Sequence, residues 1–313
     1  MIDWTPDQHH DDDALRPRMM DWLARWIAVG TMKVSRIAAS RWFQRRNAAH
    51  ADDLERQAFE VVTSDGETLE GFYFLPSGAD STLVKKTPIV FSHGITESKE
   101  CHHRLARLLT SQGHCVIMYD HRGHGRSKAA CTFGVSESND LRCVIDHAVD
   151  EGWIKDDVIT MGVSLGGATV IMHGATDVRV KGVVAYAPFA DFTEAIRSYA
   201  KRYVKWLSSE WGVRGFVQAS VRRGFDIRDA VPVDLAPAIH VPVLIIVGDH
   251  DCCLPADEHA RVIADAMLPE GDVKLVIVPG ANHFNICVKR WEVGDEEMLA
   301  FCERIEDACL EKP

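Results

Sequence analysis

The sequence predicts an α/β fold with a mostly parallel central sheet and helices on both of its faces. Short apolar segments alternate with stretches of helical spacing over most of the chain. The expected strands are residues 88–91, 115–119, 158–162, 182–186, 243–247 and 274–278, and the expected helices include residues 97–112, 136–151 and 165–174. Strands this apolar, each separated from the next by a helix, are typical of a parallel sheet covered on both sides. Functional groups of such sheets lie at the carboxyl ends of the strands, so reactive residues are expected directly after them.

An antiparallel hairpin is expected ahead of these strands. Residues 59–63 and 68–75 are strand-like, and Ser64-Asp65-Gly66 between them is a turn sequence. We therefore divide the chain into residues 1–50, a polar tail with a basic amphipathic helix, and residues 51–313, the α/β domain. Within that domain, the segment at about 191–238 carries aromatic residues at helical spacing and is expected to form a helical cap.

The composition narrows the class of protein. The chain has 313 residues and a net charge of -11, and its hydrophobic content of 46% is that of an ordinary soluble globular protein. The acidic balance argues against a nucleic-acid-binding protein, which would be basic over its docking face. No apolar run reaches the roughly 18 residues that span a bilayer, and the acidic start is unlike a secretory signal. A cytoplasmic location is therefore expected.

The nine cysteines are odd in number and include no Cys-x-x-Cys pair. Most of them lie in apolar surroundings, so we expect reduced, buried thiols rather than disulfides or a redox pair.

The amphipathic helix expected over residues 15–47 carries many basic side chains against a single acid, Asp21. Its apolar residues recur at helical spacing and form one face that must be covered. Packing on the body of the protein or on a second copy of the chain is favoured. Docking on an anionic membrane surface is the alternative. A homodimer and a membrane-surface contact are therefore both open for this segment.

The motif that points to chemistry is Gly162-Val163-Ser164-Leu165-Gly166, which follows an expected strand and begins an expected helix. This is the layout of a nucleophile elbow, in which a sharp turn exposes the serine hydroxyl at a helix N-terminus. The two glycines lack the Cβ atoms that would collide in so tight a turn. Ser164 is therefore the candidate nucleophile, and the backbone amide of Leu165 is a candidate donor to an oxyanion.

Two other loops follow strands and carry polar residues. In Ser92-His93-Gly94-Ile95, Gly94 permits a turn that points the amide of Ile95 at the same oxyanion. His93 is expected to fix this loop by a hydrogen bond rather than to act as a base. Residues 120–127 are polar and glycine-rich, but they lack the spacing of a nucleotide-binding loop. We expect them to support the rim of the site.

A base and an acid follow the last two expected strands. His283 is the candidate base, since histidine titrates near neutral pH and can both accept and return a proton. A carboxylate would orient its ring, and Asp249 and Asp251 compete for this role, with Asp251 favoured. Asp191 is a third candidate, but its expected role is to cap the helix that follows it.

Over about residues 55–310 the chain resembles serine hydrolases of the α/β-hydrolase superfamily. The resemblance rests on five loops in the family's order: His93-Gly94, residues 120–127, the serine pentapeptide, Gly248-Asp249-His250-Asp251 and the loop of His283. Within the superfamily the chain is most similar to bacterial esterases and dienelactone-hydrolase-like members with an Asp-Gly-x-x-Leu hairpin, here residues 65–69. The resemblance implies Ser164 as nucleophile, Asp251 as acid and His283 as base.

By this resemblance we expect a carboxylesterase-like serine hydrolase, which cleaves a carboxylic ester through an acyl-enzyme and requires no metal or organic cofactor. Thioesterase, acyltransferase and peptidase activities use the same three residues and are alternatives. A ligand-binding protein that kept the fold without turnover is an alternative of another class.

The substrate expected from segment 191–238 is a small-molecule ester or thioester with an apolar acyl group and an anionic part. This expectation rests on the aromatic and basic residues of that segment. The alternative is that the aromatic side chains only fill the core of the cap.

Overall fold

The computed structural model describes residues 54–76, 86–203, 208–267, 271–287 and 291–310. Its strands are β1 Arg56–Val62, β2 Thr68–Phe74, β3 Ile89–Ser92, β4 Val116–Tyr119, β5 Val158–Val163, β6 Val180–Tyr186, β7 Val243–Gly248 and β8 Val273–Val278. They form one eight-stranded sheet in the order β1-β2-β4-β3-β5-β6-β7-β8. The β1–β2 and β2–β4 pairs are antiparallel, and the other neighbouring pairs are parallel. The mostly parallel sheet and the hairpin are therefore confirmed.

The helices of the described ranges alternate with the strands from β3 onward. They are α1 His103–Ser111, α2 Glu137–Asp150, α3 Leu165–Gly174, α4 Phe192–Tyr203, α5 Ser209–Val221, α6 Pro232–Leu235, α7 Ala260–Met267 and α8 Glu292–Leu310. Short 3₁₀ turns occur at Lys99–His102, Ile227–Asp229 and Ala236–Ala238. The helix expected over residues 97–112 is therefore divided into a 3₁₀ turn and α1.

Both faces of the sheet are covered by helices, as predicted. On one face α3 packs along β5 and β6, with α2 and α6 beside it and α7 packed against α6. On the other face α8 lies against β6, β7 and β8. Consecutive residues of β6 show the two sides, because Gly182 leaves room for Ile305 of α8 whereas Val183 lies against α3. The strands β3, β4, β5 and β7 are buried over their whole length, which explains their predominantly apolar sequences.

The segment expected to form a cap contains α4, α5 and α6, between β6 and β7. α4 and α5 pack on each other. Their apolar side chains join Phe133, Leu165 and Phe189 in a second apolar cluster, separate from the main core. Since Leu165 directly follows the candidate nucleophile, this cluster lies next to the serine turn.

Two other expectations concern the burial of the cysteines and the N-terminal segment. The nine cysteines are free thiols, and all but Cys143, Cys252 and Cys309 are buried. No helix within the described ranges is long and apolar enough to cross a membrane. The tail and basic helix expected over residues 1–50, with their dimer or membrane contact, lie outside the described residues.

A buried histidine couples the stability of this fold to pH. The His103 ring is 2% exposed and lies 6.4 Å from the Phe72 ring and 5.9 Å from the Phe74 ring, centroid to centroid. Burial, together with the positive charge of Arg56, lowers the pKa of His103 to about 4. Below pH 6.5 the unfolded chain therefore gains a proton at this residue that the folded protein does not take up until about pH 4.

We expect His103→Phe to remove this coupling while it keeps an aromatic ring between the two phenylalanines. The free energy of unfolding of the parent should fall more steeply than that of the variant as the pH is lowered from 6.5 to 4, by about 1.4 kcal/mol per pH unit. Urea denaturation at a series of pH values measures both slopes. Parallel slopes for the two proteins would contradict the assignment of the uncharged form to the folded state.

Candidate active site

Three predicted residues from three different strand ends come together in one hydrogen-bonded row. Ser164 follows β5, Asp251 follows β7 and His283 follows β8. The His283 Nε2 atom lies 3.0 Å from the Ser164 Oγ atom, and its Nδ1 atom lies 2.8 Å from the Asp251 Oδ2 atom. Because a carboxylate only accepts, Nδ1 carries the proton and Nε2 presents its lone pair to the serine hydroxyl. This row has the arrangement of a nucleophile, a base and an orienting acid.

The two aspartates that competed for the acid position are separated by the structure. Asp251 is buried, and its second oxygen accepts the backbone amides of Cys253 and Leu254 at 3.0 and 2.8 Å. Asp249 is turned away from the ring, since it accepts the amide of Gly280 at 2.7 Å and its side chain is 40% exposed.

The third candidate acid, Asp191, caps a helix. Its carboxylate accepts the backbone amide and the hydroxyl of Thr193 at 2.5 and 2.7 Å at the start of α4. The capping role expected for Asp191 therefore agrees with the structure.

The turn that presents Ser164 is tightly packed and has a strained backbone. Ser164 has a φ of 55° and a ψ of -111°, a conformation that residues with a Cβ rarely adopt. A Cβ on Gly162 would collide with the backbone of Gly166, and a Cβ on Gly166 would collide with the carbonyl of Ser92. The Ser164 amide donates to the Tyr186 carbonyl at 2.8 Å. Both glycines of the pentapeptide are therefore required by close backbone contact.

The two predicted amide donors lie beside this turn. Ile95 and Leu165 line the same pocket as Ser164. Leu165 is the first residue of α3, so its amide has no acceptor within the helix. Gly94 packs against the candidate nucleophile, because a Cβ there would lie 3.5 Å from the Ser164 Cβ atom. The geometry therefore brings the backbone that carries both amides next to the serine.

Sequence reasoning missed Glu97, which holds the loop of Ile95. One carboxylate oxygen accepts the amide of Gly94 at 2.7 Å and lies 3.0 Å from the His102 Nε2 atom. Burial alone would raise the pKa of Glu97, but its pairing with His102 outweighs burial and lowers that pKa to about 2. The carboxylate is therefore charged, and its Oε2 atom is engaged by both the Gly94 amide and His102. No local sequence pattern identified Glu97, because its partner His102 belongs to the 3₁₀ turn that follows.

His93 has the structural role expected of it. Its Nε2 atom accepts the amide of His121 at 3.0 Å, and its Nδ1 atom lies 2.7 Å from the Gly94 carbonyl. Burial lowers the pKa of His93 to about 3, so the ring is neutral at physiological pH. Both ring nitrogens are used to tie the Gly94 loop to the next strand end.

The polar loop at residues 120–127 is held by buried ion pairs. The Lys99 Nζ atom lies 2.6 Å from an Asp120 oxygen, and Arg122 pairs with both Asp140 and Asp65. These charges are therefore neutralised inside the protein. The arrangement suits the predicted support of the rim, and the buried cations Lys99 and Arg122 are both engaged by carboxylates.

A pocket of about 440 Å³ opens over Ser164. Most of its lining is apolar. The lining residues from the helical insertion are Phe192, Ala195, Ile196, Tyr199, Ala200, Tyr203, Gly212 and Phe216, and Phe133, Phe189, Leu254 and Phe284 join them from elsewhere in the fold. Other aromatic residues of the insertion, such as Phe225, pack in the second apolar cluster instead. Some aromatic side chains of this segment therefore line the pocket, whereas others fill the core of the insertion.

The anionic part of the expected substrate has no cationic partner among the described residues of the pocket lining. None of the arginines and lysines of the insertion that the structure describes lines the pocket. Arg197, which follows the lining residue Ile196, is paired with Glu194 and Glu210. The same ranges contain no group of three His, Cys, Asp or Glu side chains that could hold a metal ion.

The strain at Ser164 leads to a measurable expectation. Glycine adopts positive φ without steric cost, whereas other residues pay of order 1–3 kcal/mol for such a conformation. Ser164→Gly should therefore have a free energy of unfolding about 1 kcal/mol higher than Ser164→Ala, after allowance for the greater freedom of glycine in the unfolded chain. Urea denaturation of the two variants measures this difference. A glycine variant that is no more stable than the alanine variant would contradict the strained turn.

Comparisons with known proteins agree with this architecture. The family described as Hydrolase_4, serine aminopeptidase, S33, matches residues 85–230. The chain is 23% identical to YqkD of Bacillus subtilis over 262 residues, which are 82% of each chain. It is 24% identical to a monoacylglycerol lipase of Mycolicibacterium smegmatis over 62% of this chain and 80% of the relative. An esterase of Pyrococcus furiosus superposes with a TM-score of 0.65 and 20% identity, over 80% of this chain and 93% of that one. The sheet order, the strand-end site and these likenesses show that the chain has the α/β-hydrolase fold.

Proposed function

We propose that the protein is a serine hydrolase that cleaves a carboxylic ester through an acyl-enzyme. The observation that carries this proposal is the hydrogen-bonded row of Asp251, His283 and Ser164 at an apolar pocket. The esterase and the monoacylglycerol lipase among the similar proteins support the same reaction class.

In the acylation step, Ser164 Oγ attacks the ester carbonyl while His283 Nε2 accepts the hydroxyl proton. The carbonyl oxygen becomes an oxyanion, which the amides of Ile95 and Leu165 stabilise. When the tetrahedral intermediate collapses, the bond to the alcohol oxygen breaks and His283 returns its proton to that oxygen. The alcohol leaves, and the acyl group remains bonded to Ser164.

In the deacylation step, His283 accepts a proton from water and the resulting hydroxide equivalent attacks the acyl carbon. The same two amides stabilise the second oxyanion. The proton then passes to Ser164 Oγ as the acyl bond breaks, which releases the carboxylic acid. Asp251 holds the imidazole in the tautomer required by both steps and stabilises the imidazolium.

The pocket supports an ester rather than the free amino terminus of a peptide as substrate. An aminopeptidase needs an anionic group to bind the ammonium of its substrate. The carboxylate in the lining is that of Glu97, and it is already engaged by Gly94 and His102. Aminoacyl p-nitroanilides, tested beside p-nitrophenyl esters, would favour a peptidase only if their kcat/KM were the higher.

Labelling by a fluorophosphonate tests the nucleophile. The parent protein should be labelled and should release p-nitrophenol from p-nitrophenyl acetate in a burst, whereas Ser164→Ala should show neither. Tight binding of the ester without turnover by the parent would instead favour a ligand-binding protein of this fold. Equal labelling of parent and alanine variant would rule out Ser164 as the nucleophile.

A matched pair of substitutions tests the acid. Asp251→Asn replaces an acceptor with an amide that cannot stabilise the imidazolium, so kcat should fall by about 10⁴-fold. Asp249→Asn keeps an oxygen that can accept from Gly280 and should leave kcat close to the parent value. Steady-state hydrolysis of p-nitrophenyl acetate by the two variants measures the contrast. The assignment of Asp251 fails if both variants lose activity equally or if the loss falls on Asp249→Asn.

Glu97 is proposed as a positioning residue for the oxyanion loop. Glu97→Gln removes the charge that holds both the Gly94 amide and His102, and it should lower kcat by about tenfold, in line with the loss of one hydrogen bond to a charged group. Because this oxygen is engaged by the Gly94 amide and His102, we expect KM to change little. Glu100→Gln, three residues along the chain, is the matched control. A change confined to KM would contradict the positioning role.

A further inference from the structure

We propose that the pocket between α4 and α5 binds an uncharged, apolar acyl chain and that Gly212 determines how long this chain can be. The inference rests on the proposed function, since it assigns the pocket to the acyl group that Ser164 accepts. It adds a substrate class and one specificity-determining residue.

The shape of the pocket has an exposed side and a buried, aromatic side. Phe284 and Tyr203 are 59% and 52% exposed, and Phe284 directly follows the base, His283. In contrast, Phe133 and Phe192 are buried, with stacked rings 4.6 Å apart. The Phe216 ring closes this side at 5.7 Å from Phe133, edge to face. A chain bonded to Ser164 therefore extends from the catalytic row toward a closed aromatic end.

The charge of the lining selects against ionic acyl groups. The ionisable acid and base among the lining residues are Glu97 and His283, and both are engaged within the site. No lysine or arginine among the described residues lines the pocket. A carboxylate at the far end of the acyl chain would lose its hydration without gaining a cation, so such substrates are disfavoured.

Gly212 is a residue of the lining that packing does not explain. It lies inside α5, where glycine is unfavourable relative to alanine. A Cβ on Gly212 would meet one atom of the described protein within 4 Å, the Cγ2 atom of Ile196, at 3.4 Å. No backbone approaches it, in contrast to Gly166, whose Cβ would collide with the Ser92 carbonyl.

The lack of a side chain at Gly212 therefore leaves space in the pocket and is not required by close contact between the helices. Ile196, the neighbour across this space, belongs to α4 and also lines the pocket. A larger residue at position 212 would project into the room between the two helices. It would shorten the acyl chain that fits.

A series of p-nitrophenyl esters from acetate through butyrate and octanoate to palmitate tests the proposal on the full chain. In the parent, kcat/KM should rise by about fourfold for each methylene that enters the pocket and then stop rising. Gly212→Leu should lower kcat/KM for the longest well-accepted ester, relative to kcat/KM for acetate, by about tenfold or more. Gly212→Ala should show a smaller shift in the same direction.

Val221→Leu, at an exposed position of the same helix, is the matched control and should keep the parent profile. The proposal is overturned if Gly212→Leu, folded by circular dichroism, keeps that profile. If Gly212→Leu does not fold, the profile of Gly212→Ala decides, since alanine meets no backbone atom there.

An ester whose acyl chain ends in a carboxylate tests the proposed preference for uncharged, apolar acyl groups. Such an ester should be hydrolysed about tenfold more slowly than its uncharged isostere, and equal rates would overturn this part. Failure of the proposed function gives a different result, because the parent would then neither hydrolyse acetate nor react with the fluorophosphonate.

Discussion

The close backbone contact around Ser164 is the constraint on which the rest of the site depends. β3 and β5 are neighbours, with Ser92 paired to Gly162, so the turn after β5 lies directly on the chain that leaves β3. Only glycine at 162 and 166 allows that approach. The same contact forces Ser164 to a positive φ and brings the Gly94 loop beside it. The candidate nucleophile and the candidate oxyanion donors are thus positioned by one piece of packing.

The parallel sheet brings together residues that are distant in the sequence. His283 is 119 residues from Ser164 and 32 from Asp251, yet all three follow strands whose carboxyl ends lie at one edge. Beneath them, buried ion pairs such as Lys99 with Asp120 fix the adjoining loops. In these pairs the charges of the buried side chains neutralise one another. A layer of ion-paired loops with an apolar pocket above it is consistent with a reaction on an uncharged substrate group.

Sequence reasoning succeeded where the signal was local and failed where it depended on direction in space. The strands, the hairpin and the serine turn were predicted because apolar runs and glycine spacing reflect backbone requirements. The basic residues of the insertion suggested an anionic substrate group, but Arg197 pairs with two glutamates, and pairing cannot be read from composition. Glu97 was missed because it contacts His102 and Gly94 only after the loop has folded back.

The sequence by itself determined the fold class, the positions of reactive residues at strand ends and the need for glycine on both sides of Ser164. These follow from the period of apolar residues and from backbone sterics, which act over a few residues. The tertiary structure decided that Asp251 and not Asp249 faces His283, and which aromatic side chains open onto the pocket. Both depend on the direction of a side chain after its strand or helix ends, and long-range contacts set that direction.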